Sequence, residues 1–134
     1  MIILIVKASI TINGDKSSIS EVALTDTGSA LTLLDEVIAN TVGVRMLNRK
    51  IRLVVADGHE VVAKLGVIKE LIVEGESLPE VHVGVTKFPE KVKEILRKLG
   101  LADWCVIGLA TLEILGLAPN TSSGKLEKVG VIIL

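Results

Sequence analysis

The 134-residue chain has 15 basic and 16 acidic side chains, a net charge of −1 and 49% hydrophobic residues. Near-balanced charge removes the electrostatic case for a nucleic-acid partner, and one Phe, one Trp and no Tyr offer single strands little to stack on. One Cys excludes an internal disulfide and fits a reducing compartment.

The opening run Met1-Ile2-Ile3-Leu4-Ile5-Val6 meets Lys7 at once. It is too short for a secretory core or a membrane span. The expectation is one soluble, cytoplasmic domain over residues 1–134, with no membrane partner. Gln is absent while Lys and Glu are plentiful, which leans toward a thermophilic source. With so few aromatics the core must come from Val, Ile and Leu, which form strands where they alternate with polar residues.

Residues 2–12 read as a strand, Asn13-Gly14-Asp15-Lys16 as a turn, and residues 18–25 as a returning strand that delivers Asp26. Leu31 to Leu34 is a short strand. Asp35 can cap a brief helix from Glu36 to Thr41, closed by Gly43. Ile51 to Ala56 and Glu60 to Ile68 flank Asp57-Gly58, a hairpin signal. Leu71 to Glu74 and Val81 to Thr86 are further strands, separated by Gly75 and Pro79.

Phe88-Pro89-Glu90-Lys91 opens a helix that Gly100 ends. Its Val92, Ile95, Leu96 and Leu99 share one face. Cys105-Val106-Ile107 is an apolar strand ending at Gly108. Thr111 to Leu115 is a short helix stopped by Gly116. Ala118 to Gly124 is a loop, and Leu126 to Leu134 a closing strand. Many short strands with few helices predict a mainly β barrel or sandwich.

Ala23-Leu24-Thr25-Asp26-Thr27-Gly28-Ser29-Ala30 is the stretch with chemistry in it. A carboxylate delivered by an apolar strand into a Thr-Gly turn looks like half of an acid pair. Asp, Thr and Gly are also ordinary turn residues, and the chain holds no second Asp-Thr-Gly or Asp-Ser-Gly. A second apolar-apolar-Gly strand, Val106-Ile107-Gly108, precedes the short helix. In this order the chain resembles the single-domain, retropepsin-like aspartic proteases of the pepsin superfamily. The matching parts are Asp26-Thr27-Gly28-Ser29, the hairpin around Asp57-Gly58, Val106-Ile107-Gly108, Thr111 to Leu115, and Val129 to Leu134. They span nearly the whole chain.

The resemblance implies a retropepsin-like closed β-barrel with short helices, active as a homodimer. It implies an aspartic endopeptidase acting on a polypeptide substrate without a cofactor, with one Asp26 from each subunit at the twofold axis. Two close carboxyls share one proton; one activates a water and the other donates to the substrate carbonyl. Thr27 would bond across the dyad, Gly28 would donate its N–H to the carboxylate, and Ser29 would bond the outer oxygen of Asp26. Ala56, Asp57, Gly58 and His59 would form a flap that pairs with extended substrate. Ile2 to Val6 and Val131 to Leu134 would interleave in the dimer sheet. Activity is expected on the acid side of neutrality. The alternative is a catalytically silent dimer of the same fold, used for binding or assembly.

The chain departs from the viral members in several places. They carry Arg after the second Gly, paired with an acid beyond the first motif. Here those places hold Leu109 and Ala110, and Leu31 and Thr32. Residues 88–103 add a helix where the viral proteins have a short loop. His59, His82 and Cys105 lack metal-ligand spacing, so no metal is expected. Cys105 reads as core, His82 as an ordinary strand residue, and Trp104 as packing.

Overall fold

The computed structural model describes residues 5–54 and 58–129. Strand β1 (Val6–Asn13) buries Val6, Ala8, Ile10 and Ile12 while Lys7 and Ser9 stay exposed, the two-residue period of a half-buried strand. It pairs antiparallel along its whole length with β2 (Ser18–Thr25). Strand β3 (Thr32–Asp35) runs directly into helix α1 (Glu36–Val42). Asp35 accepts the Val37 N–H at 3.2 Å, and Gly43, at φ +83°, returns its N–H to Ala39, so both caps stand where the sequence puts them.

Strands β4 (Arg45–Val54), β5 (Glu60–Val73) and β6 (Glu76–Thr86) form an antiparallel meander. Two expectations change here. The expected strands 60–68 and 71–74 merge into one, β5, which ends at Val73, because polar Glu70 is satisfied by its neighbours. Asn13 Nδ2 donates to one of its oxygens at 2.6 Å and the Ser77 hydroxyl donates to the other. Pro79 lies inside β6 rather than before it. β3 pairs only with Val83 to Thr86, so β6 is a sheet edge at Pro79, where proline is tolerated.

Helix α2 (Glu90–Lys98), strand β7 (Cys105–Ile107), helix α3 (Leu109–Leu115) and the hairpin of β8 (Leu117–Asn120) and β9 (Lys125–Lys128) complete the described chain. The expected loop 118–124 is therefore half strand. The closing strand is described only to Lys128, and the terminal runs 1–4 and 130–134 lie outside the described residues.

The protein is mainly β. Strands β1, β2, β7, β3, β6 and β5 follow one another in the sheet, and β1 pairs back onto β5 through Ile10 to Asn13. That closes a six-stranded barrel, with β4 attached outside it to β5. The pairings β2–β7 and β3–β6 are parallel. The interior is aliphatic: Ile12, Leu34, Ile68, Leu71, Ile107 and Leu112 are all but inaccessible. A smaller cluster of Phe88, Leu96 and Leu101 packs α2 and its flanks against Val22, Leu24, Leu33 and Val106. That contact uses a single residue of the helix. Leu96 is buried, while Val92, Ile95 and Leu99 are 40, 51 and 45% exposed, so the predicted apolar face is only partly covered. Among the described residues no helix is long and apolar enough to cross a membrane.

Candidate active site

Parallel pairing of β2 with β7 sets the position of Asp26. Leu24 lies beside Val106 and Thr25 beside Ile107, and the Asp26 N–H donates to the Ile107 carbonyl at 2.8 Å. The buried Thr25 hydroxyl donates to the Val6 carbonyl at 2.8 Å, tying the same strand end to β1. Asp26 thus leaves a strand fixed on both sides.

Beyond it the chain turns. Asp26, Thr27 and Gly28 are exposed and Ser29 is buried. The Gly28 N–H donates to Asp26 Oδ1 at 2.9 Å, the expected contact. The Ser29 N–H donates to the Asp26 carbonyl at 3.1 Å and closes the turn. The Ser29 side chain differs from expectation. Its hydroxyl donates to the Leu31 carbonyl at 2.7 Å instead of reaching the Asp26 carboxylate, because it points inward while the carboxylate faces solvent.

The Asp26 loop and the Val106-Ile107-Gly108 segment form one unit. Leu109 N–H donates to the Ser29 carbonyl at 2.8 Å and Ala110 N–H to the Ala30 carbonyl at 3.0 Å. Gly108 N–H donates to the Thr32 hydroxyl at 3.1 Å, and that oxygen lies 2.8 Å from the Thr111 hydroxyl. The chains approach so closely that a Cβ on Gly108 would stand 2.2 Å from the Leu31 carbonyl oxygen. Thr32 and Thr111, both 2% exposed or less, are the residues that sequence reasoning missed as site supports. They lie 79 positions apart and carry no local signal.

Across β7 from the Asp26 strand the sheet carries a run of apolar, half-buried or buried side chains. Leu33 Cδ2, Ala63 Cβ and Leu53 Cδ1 converge over Gly84, and Val106 sits half-buried beside Leu24 and Leu33. Ile107 is in the core. Of the proposed flap residues, Ala56 and Asp57 lie outside the described residues, while Gly58 and His59 are exposed before β5.

No protein-family model matches the chain, and no curated protein matches it.

The other reactive side chains sit elsewhere. Cys105 is fully buried, and burial pushes its thiol pKa far up. Trp104 packs in the core with its Nε1–H donated to Glu21 at 2.7 Å. His82 is exposed on β6. Among the described residues no three His, Cys, Asp or Glu side chains cluster as metal ligands would.

The arrangement offers an exposed carboxylate on a rigid strand end, with one oxygen held by a backbone N–H and an apolar wall nearby. One carboxylate of this kind can accept a proton or donate one, but not both in a single step.

Proposed function

We propose that the chain is a retropepsin-like aspartic endopeptidase, active as a homodimer in which each subunit supplies one Asp26. The observation that carries this reading is the hydrogen bond from the Asp26 amide to the Ile107 carbonyl. It joins the Asp-Thr-Gly turn to the apolar-apolar-Gly strand, and the Gly28 N–H orients the carboxylate that results. A twofold axis beside Asp26 would set two such carboxyls face to face without any further residue.

In that dimer the pair holds one proton. The ionised Asp26 takes a proton from a water, which attacks the peptide carbonyl. The protonated Asp26 of the other subunit donates to the carbonyl oxygen. The tetrahedral species then breaks at the C–N bond as the Asp26 that took the water's proton gives it to the nitrogen, while the other Asp26 takes back a hydroxyl proton as the carbonyl re-forms. Leu33, Leu53 and Val106 would receive apolar substrate side chains.

Mixing wild-type chain with Asp26→Asn chain tests the shared site. After subunit exchange, peptide cleavage at fixed total protein should fall with the square of the wild-type fraction. A linear fall would mean that one subunit suffices and would refute the dyad. A wild-type dimer that cleaves no peptide at any acid pH would favour the silent binding module instead.

A further inference from the structure

A groove of about 530 Å³ runs between α1 and the sheet made by β4, β5 and the end of β6. No residue of the Asp26 loop lines it. Three cations do, Lys50, Lys64 and Lys87, against the lone carboxylate of Glu36. The β4–β5 register sets Lys50 directly opposite Lys64. Like charges opposed in this way destabilise a sheet. Of the other cations on β4, Arg45 pairs with Glu80 and Arg52 with Glu60, while Arg49, like the groove lysines, has no ion pair among the described residues. Among the described residues the three lysines have no such partner.

The same groove exposes apolar surface. Val37, Met46 and Val62 are 65, 44 and 54% exposed and all line it. Large aliphatic side chains left open beside unpaired cations mark an interaction site rather than a solvated face. The charge calls for an anionic occupant and the aliphatic floor for one with apolar side chains. The lining contains no aromatic residue to stack a nucleobase, which disfavours nucleic acid.

We propose that this groove binds an acidic, aliphatic segment of a partner polypeptide. Its carboxylates pair with Lys50, Lys64 and Lys87, and its Leu, Ile or Val side chains cover Val37, Met46 and Val62. The groove shares Ala63 with the apolar cluster over Gly84 but no residue with the Asp26 loop.

The test uses a fluorescein-labelled peptide of alternating Glu and Leu and the full chain carrying Asp26→Asn, so that binding is read apart from hydrolysis. Anisotropy should show saturable binding that weakens steeply in about 0.5 M salt. Lys50→Glu and Lys64→Glu should each weaken it about tenfold, and Val62→Ser should weaken it without changing the salt dependence. Both charge reversals should melt no lower than the parent, because each converts a repulsive cross-strand pair into an attractive one. The proposal is overturned if no saturable binding occurs, or if either reversal binds as the parent does. An oligo-dT of equal charge that binds as tightly would also overturn it.

Discussion

The Gly108 amide and the Thr32 hydroxyl meet at 3.1 Å, joining residues 76 positions apart at the point where the two halves of the candidate site cross. Gly108→Ala would drive a methyl into the Leu31 carbonyl and should destabilise the fold by about 3 kcal/mol or more. Thr32→Val keeps the shape but leaves the Gly108 N–H and the Thr111 hydroxyl short of a partner. It should cost about 1–3 kcal/mol. Urea denaturation of both variants checks the order; an unperturbed Gly108→Ala would show that the crossing is looser than described.

Asp26→Asn should reduce peptide hydrolysis by at least about 10²-fold, the scale of a lost general acid–base group. Its effect on the fold should be small, because the Asn side-chain oxygen still accepts the Gly28 N–H and Asp26 is exposed. Circular dichroism melting beside a cleavage assay separates the two. Near-parental cleavage would remove Asp26 from the chemistry.

Asp35 is the one buried carboxylate among the described residues. It accepts Phe88 N–H at 2.9 Å and Val37 N–H at 3.2 Å, and Lys93 Nζ lies 3.4 Å away. It therefore fastens α1, the end of the β6–α2 connection and α2 itself to β3. Asp35→Ala strands two amides and a largely covered ammonium, and should cost about 3–5 kcal/mol. Asp35→Asn should fall between it and the parent. Equal stability of Asp35→Ala and the parent, by denaturant midpoint, would contradict this role.

Glu70 predicts the acid limb of stability. The Ser77 hydroxyl, and then the Asn13 amide, hold its carboxyl below the ordinary glutamate value. The folded state therefore binds fewer protons than the unfolded state through this interval. The stabilisation is complete above the ordinary value and is lost as pH falls through the lowered one. Between about pH 6 and about pH 3 the denaturant midpoint should fall less steeply in Glu70→Gln than in the parent. Parallel pH profiles would assign the acid sensitivity to other carboxylates.

What could be read from the sequence was local. The Asp35 cap and the Gly43 stop depend on residues within a turn of each other, and both stand as expected. The strand carrying Asp26 follows from the Asn13–Lys16 turn, which returns residues 18–25 alongside β1. Glu70 misled because its partners, Asn13 and Ser77, come from other strands, so a polar residue inside a strand resembled a break. Ser29 misled because the nearby Leu31 carbonyl takes its hydroxyl. The Lys50–Lys64 opposition follows an unbroken register from Val54 opposite Glu60, and the shift between Met46 and Lys50 alters only the pairing beyond it.

Strand β5 has a mechanical consequence. From Lys64 onward it pairs with β6, and from Glu70 also with β1, but Glu60 to Ala63 pair only with β4, apart from the Thr86 hydroxyl of β6 donated to the Val62 carbonyl at 3.3 Å. The β4–β5 ribbon is a cantilever whose root lies at Lys64. Two-stranded ribbons twist more readily than wider sheets, so torsional compliance is concentrated just past that root. A load applied at Lys64 acts near the fulcrum. There, a small rotation sweeps the free end of the ribbon through an arc that lengthens with each residue beyond it.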